Sequence, residues 1–395
     1  MEMQNFAPIM FGGLVAVMII GFPVAFSLAA LGLGCGFFAI QMGWFPAAFM
    51  SNLPISIFSI LSNDLLLAIP FFTFMGTILE KCGLAEDMLD AMGQLFGPIK
   101  GGLGYSVIIV GFILGAITGT VAGQVIAMAL ISLPVMLRYG YDTRYATGVL
   151  AASGTITQLV PPSLVLVVLA DQLGRPVGDM YKGAWGPSLM QIAMFAIYTY
   201  ALGVFKPHYV PGVPKEARTL NGWPLWRKCL KGIIPSAVLI FTVLGSMGGL
   251  PFQDRAIATP TEAGAMGVVG ALILAAMHKR LTKDLLWEAM HGTMRLTAMV
   301  VFILIGSRVF SLVFQGVDGA KWVEHLLSGL PGGQVGFLIV VNLFVFFLAF
   351  FLDFFEIAFI IVPMLAPVAD KMGIDLIWFG VLLCVNMQTS FMHPP

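Results

Sequence analysis

Two stretches of this chain set hydroxyl side chains and consecutive prolines inside apolar sequence. The first is Ala152-Ser153-Gly154-Thr155-Ile156-Thr157-Gln158-Leu159-Val160-Pro161-Pro162-Ser163. The second is Asn386-Met387-Gln388-Thr389-Ser390-Phe391-Met392-His393-Pro394-Pro395. Two adjacent prolines remove two N–H donors and clash with the preceding turn, so a helix carrying them breaks. The carbonyls left over need partners, because irregular backbone at membrane depth survives only inside protein or at a cavity. A cation can serve, and the Thr and Ser hydroxyls alongside are hard oxygen donors suited to Na⁺. The half-helix beyond the break presents its N-terminus, which favours an anionic group. A proline kink with no ligand is the competing reading, and its occurrence twice weakens it.

A second kind of interruption lies in the charge-free window Gly101–Leu137. Its centre, Gly115-Ala116-Ile117-Thr118-Gly119-Thr120-Val121-Ala122-Gly123-Gln124, breaks the apolar run with small and polar residues. Lys100 and Arg138 flank it. If both lie on one side of the membrane, the window is a re-entrant hairpin with a small polar tip. One long tilted helix with small residues for packing is the alternative. A bulkier, acidic counterpart is Phe351-Leu352-Asp353-Phe354-Phe355-Glu356.

These elements need a membrane around them. Of 395 residues 59% are hydrophobic and 10% charged, with a mean hydropathy of +0.95. Soluble domains carry about 25% charged residues, so the chain reads as an all-α polytopic membrane protein. Lys+Arg 20 balance Asp+Glu 20, so no bulk field attracts nucleic acid. Cys35, Cys82, Cys229 and Cys384 stand apart, which argues against a zinc or disulfide framework. No GxSxG elbow and no catalytic acid or His pair at helical spacing supports an enzyme. The chain has no GxxxxGK[ST] loop for ATP.

At about 20 apolar residues per span, around ten membrane elements are expected. The basic segment Lys206–Lys231 carries six Lys/Arg against Glu216 alone, and marks the cytoplasmic side. Lys100, Arg138, Arg144 and His278–Lys283 fall on that side as well, and Asp318, Glu324, Asp370 and Asp375 on the other. Pro98 and Pro331, Pro134 and Pro367, Gly140-Tyr141-Asp142 and Gly373-Ile374-Asp375, and the two Pro-Pro pairs are each 233 residues apart. An odd number of crossings separates the copies, so two inverted-topology repeats are expected, an arrangement typical of secondary transporters.

Taken in order, Gly21-Phe22-Pro23-Val24-Ala25-Phe26, the Gly119-centred tip, Pro161-Pro162-Ser163, Thr259–Ala265 and Gly373 through Pro395 resemble the large, DctM-type membrane subunit of tripartite ATP-independent periplasmic (TRAP) transporters. The likeness runs over nearly the whole chain. It implies Na⁺-coupled uptake of a small organic anion or similar solute across a bacterial inner membrane. It also implies a periplasmic binding protein, a small four-helix membrane subunit and an elevator motion, with no cofactor beyond the coupling ion. A stand-alone Na⁺/anion symporter of the same superfamily is the alternative.

The resemblance divides the chain into scaffold and arm (1–96), a first transport half (97–182, hairpin 101–137, broken helix 145–170), further scaffold and arm helices (183–330, loop 206–231) and a second transport half (331–395, hairpin about 333–369, broken helix 376–395). It carries over a first sodium site at Thr118, Gly119, Thr120, Thr157, Pro161 and Ser163. A second falls at Leu352, Asp353, Gln388, Thr389, Ser390 and Pro394. The amides of Gln124, Gln158 and Asn386 are expected to meet the solute. The first copy continues past its Pro-Pro into Ser163–Ala170 and a further span, so counterparts of those elements are expected beyond Pro395.

Overall fold

The computed structural model describes residues 6–118, 121–214, 222–253 and 255–388, the side chains of Ala85, Ile117, Thr118 and Ala122 excepted. Among them the regular structure is helical, with no strand. The chain opens with α1 (Phe6–Ile20) and α2 (Val24–Gln41), then α3 (Asn52–Leu61), α4 (Ala68–Lys81) and the amphipathic α5 (Leu84–Phe96). Next come α6 (Gly102–Thr118) and α7 (Val121–Arg138), then α8 (Thr143–Thr155), α9 (Leu164–Leu173) and α10 (Val177–Phe205). The rest is α11 (Trp223–Ser246), α12 (Pro260–Met277), α13 (Lys283–Gly316), α14 (Gly319–Ser328), α15 (Gly333–Leu348), α16 (Phe354–Glu356), α17 (Val362–Lys371) and α18 (Leu376–Met387).

Among the described residues, five helices are long and apolar enough to cross a bilayer: α2, α10, α11, α12 and α13. Two bent pairs bring the number to as many as seven. At 34 residues α13 is about 51 Å long, well beyond the roughly 30 Å hydrocarbon layer. It therefore tilts or extends into water, which the window Arg295–Phe314 does not convey. The segment 206–231 is not loop throughout. Gly222 at positive φ turns the chain, Pro224 occupies the first turn, and α11 begins at Trp223. Arg227, Lys228 and Lys231 thus ride on a helix, where long aliphatic stems carry the charge outward. Lys228 pairs with Asp90 of α5.

α2, α4, α12 and α13 pack together as one bundle. The pair α6 and α7 folds back on itself and packs with α5 and α8 around Met88, Val107, Met128 and Leu150. α15 and the 354–371 segment reproduce that order near the other end of the chain, and α18 follows as α8 follows α7.

Positions 233 residues apart agree in local detail. Gly140 and Gly373 take φ of +80° and +76°, a region cheap only for glycine. Asp142 and Asp375 then cap α8 and α18 with their carboxylates. Two cavities also match. One of about 630 Å³ lies between α5 and the hairpin and is lined by Leu130, Ile131 and Val135. The other, of about 250 Å³, lies between α14 and α17 and is lined by Pro363, Met364 and Val368, each 233 residues on.

Candidate functional site

The first Pro-Pro stretch breaks its helix as its chemistry requires. α8 ends at Thr155, one tight turn covers Ile156–Gln158, and α9 starts at Leu164. Ser163 caps α9, its Oγ accepting from Val165 N at 3.2 Å. The break is buried within protein, Thr157, Gln158 and Ser163 being at most 3% exposed. Some of its carbonyls find protein donors. Gln158 O accepts from the Ser163 hydroxyl and, at 3.3 Å, from the Cys384 thiol. Leu159 O lies 3.2 Å from the Ser188 hydroxyl, which also contacts Ala184 O at 2.6 Å, and Ser163 O accepts from Tyr181 at 3.4 Å. The Gln158 and Ser163 carbonyls therefore have protein donors.

The hairpin is pressed onto this break. A Cβ on Gly115 would stand 3.1 Å from Thr157 Cα, and one on Gly154 would stand 3.2 Å from Val125 Cα. A side chain at Gly154 would collide with Val125 and one at Gly115 would crowd Thr157, so glycine lets the backbones approach here. Gln124 Nε2 donates to Gly111 O at 2.7 Å and so bridges the two hairpin limbs. That fixes the amide's orientation and turns its oxygen toward Thr157. The Thr157 hydroxyl bonds this oxygen and also lies 2.6 Å from Gly154 O. A hydroxyl has one proton, so it serves one of the two at a time. Three oxygens thus meet at the junction of hairpin and break. Nearby on the same helix and turn, Ser153 Oγ and Gln158 Oε1 are buried without a hydrogen-bond partner among the described residues.

α10 and α18 close the site. Gln191 Nε2 donates to Gln388 Oε1 at 2.6 Å. Gln191 Oε1 and Gln388 Nε2 remain buried and unpartnered among the described residues.

At the start of α16, Asp353 and Glu356 form a reciprocal cap. Phe354 N donates to Asp353 at 2.7 Å and Asp353 N donates to Glu356 at 3.0 Å. Both carboxylates therefore have a local structural task, and Leu352 is buried beside them. A wide helical turn follows at Ile357–Ile361. There Phe359 O accepts from Ser307 of α13 at 2.7 Å. The expected result of Ser307→Ala is a lower thermal midpoint, by the equivalent of about 1–2 kcal/mol for an orphaned buried carbonyl. Na⁺ dependence measured on the same protein should be unaltered.

Of the residues singled out in the sequence, Gln124, Thr157, Gln158, Pro161 and Ser163 come together at the first break. Gln388 meets Gln191. Asn386 donates to Asn342 of α15, at 2.8 Å to its carbonyl and 3.1 Å to its side chain. Gly119, Thr120, Thr389, Ser390 and Pro394, with the Thr118 side chain, lie outside the described residues. Arg308 is exposed and forms no ion pair among the described residues, with Asp64, Glu80, Asp353 or Glu356 or any other acid. Glu262 is a helix cap, reciprocal with Thr259. Sequence reading missed Ser153, Tyr181, Ser188, Gln191 and Cys384. A signal existed for three of them: Tyr181, Ser188 and Gln191 share one buried face of the 29-residue α10.

A chain of packed apolar helices, one broken around buried oxygens, belongs to the class of multi-pass membrane transporters. Its fold is similar to that in the crystal structure of the Alcanivorax borkumensis YdaH transporter, with a TM-score of 0.56 over 88% of this chain and 78% of that one, at 13% identity. Residues 11–395 match the family described as tripartite ATP-independent periplasmic transporter, DctM component. The chain is 29% identical to the C4-dicarboxylate TRAP transporter large permease protein DctM of Rhodobacter capsulatus, covering 98% of this chain and 88% of that protein. It is 26% identical to the 2,3-diketo-L-gulonate TRAP transporter large permease protein YiaN of Escherichia coli K12, over 98% and 87%. The chain belongs to the DctM family: it is a transporter permease component, not an enzyme, and serves solute uptake.

Proposed function

We propose that this permease drives uptake of a small organic carboxylate across a bacterial inner membrane with a Na⁺ gradient. The solute arrives from a periplasmic binding protein, and a small four-helix subunit completes the membrane complex. The observation that carries the sodium reading is the junction of Thr157 Oγ1, Gln124 Oε1 and Gly154 O. Three oxygens converge in a buried site, a donor set suited to a small hard cation. The unpartnered oxygens of Ser153 and Gln158 add donors. Thr118, Gly119 and Thr120 would complete this site from the tip. Leu352, Asp353 and Gln388, with Thr389, Ser390 and Pro394, would form a second. The two relatives above are named for organic anions, which supports a carboxylated solute. The N-terminus of α9 suits the carboxylate, with Gln158 at the break beside it.

The matching caps, turns and cavities at a spacing of 233 support two inverted copies, with 97–182 and 331–395 as the moving halves of an elevator. Segments 1–96 and 183–330 would be scaffold and arms. Ser188 and Gln191 lie in the scaffold segment yet touch the break and α18. The first half of α10 therefore travels with the transport halves in this scheme. The test is uptake into proteoliposomes holding both membrane subunits, with the binding protein and solute outside. Replacing Na⁺ by K⁺ on both sides should abolish uptake. Undiminished uptake in K⁺ would overturn the sodium reading.

A further inference from the structure

Away from the ion junction, a groove of about 500 Å³ lies between α8 and the C-terminal half of α10. Its walls are apolar, with Val149 on one side and Phe195 and Leu202 on the other. Gly148 lies in the wall, and a Cβ there would meet nothing within 4 Å. Tyr145 and Thr199 close the floor through a 2.9 Å hydrogen bond. At one end the chemistry changes. Arg144 and Lys206 line the mouth, and both side chains are exposed. Neither forms an ion pair among the described residues. The Lys206 ammonium lies 5.2 Å from the centre of the Tyr209 ring. The acid at this mouth, Asp142, is committed to capping α8, accepting from Arg144 N at 2.9 Å and Tyr145 N at 3.2 Å.

An apolar slot along two membrane helices with two unpaired cations at one end matches one kind of occupant, an acyl chain with an anionic head. We propose that this groove is a binding site for an anionic phospholipid of the leaflet on the Arg144 side, its phosphate between Arg144 and Lys206. The Lys/Arg bias assigns that side to the cytoplasm, where anionic lipids attract basic residues near the surface. The site joins the helix that ends at the ion junction to its neighbour, so a bound lipid ties α8 to α10. This inference stands apart from the sodium reading and does not need it.

Native mass spectrometry of the purified permease, titrated with phosphatidylglycerol or phosphatidylcholine of the same acyl chains, tests it. Phosphatidylglycerol should bind more tightly. Arg144→Gln removes the charge and should weaken it about fivefold, the worth of one basic residue near a membrane surface. Gly148→Leu fills the slot without touching the charge and should weaken it at least as much. Arg227→Gln, on α11 and away from the groove, should leave binding unchanged. Thermal unfolding of each variant confirms that it is folded. Equal binding of the two lipids, or wild-type phosphatidylglycerol binding in both groove variants, would overturn the proposal. Displacement by millimolar inorganic phosphate would make the mouth a simple anion site and overturn it too. So would loss of bound phosphatidylglycerol on adding the small subunit, with a cysteine at position 148 cross-linking to that subunit.

Discussion

Replacing Gly115 by Leu is expected to reduce uptake at least a hundredfold while the protein still reaches the membrane. The hairpin meets the break with 3.1 Å between the site of a Cβ on Gly115 and Thr157 Cα. That neighbour is backbone and cannot rotate away. A Leu side chain must lift the tip off the break, and the oxygens of Gln124 and Thr157 separate with it. Overpacking of this kind costs about 1–3 kcal/mol in a core that can adjust, and more where backbone must move. The rest of the fold, held by separate bundles, should survive. Size-exclusion of the purified variant checks assembly, and proteoliposome uptake checks function. Gly115→Ala asks its neighbour to move only a few tenths of an ångström and should keep measurable uptake. Wild-type uptake in Gly115→Leu would mean that contact between tip and break is not part of transport.

Thr157→Val is expected to raise the Na⁺ concentration for half-maximal uptake about tenfold. Val keeps the shape and removes an oxygen donor with its proton. Gln124 Oε1 and Gly154 O then lose the hydroxyl that both of them contact. Loss of a buried polar partner costs about 1–3 kcal/mol, a factor of roughly five to over a hundred in an equilibrium constant. Thr157→Ser restores the hydroxyl and should restore the wild-type requirement. Raised Na⁺ requirement in Val but not Ser separates lost coordination from lost packing, since Ser also lacks the methyl group. An unchanged Na⁺ requirement in Thr157→Val would move the ion elsewhere.

The local devices of this protein were legible in its residues. Adjacent prolines at 161 and 162 break a helix wherever it lies, because the missing donors belong to the residues themselves. Gly140-Tyr141-Asp142 and Gly373-Ile374-Asp375 show their spacing of 233 in the sequence, and the fold shows the turn and the cap at each. Thr259-Pro260-Thr261-Glu262 leaves a helix cap and a core site both open for Glu262, and the fold makes it the cap. The membrane class follows from composition, since 10% charged residues cannot cover so large a globule.

What only the tertiary structure decided is which distant groups meet these devices. Gln191 and Gln388 are 197 residues apart, and Cys384 and Gln158 are 226 apart. Nothing in either neighbourhood names the other, because the contact depends on how α10, α18 and the break pack in three dimensions. The same holds for Asn386, which from its sequence could face a solute and in the fold bonds Asn342. It holds for Asp353 and Glu356, whose acidity in an apolar stretch suggests ion binding and whose reciprocal cap at the start of α16 only the fold shows. An isolated polar residue in a membrane segment must find some partner. Sequence states that need, and packing alone chooses among an ion, a solute and another side chain.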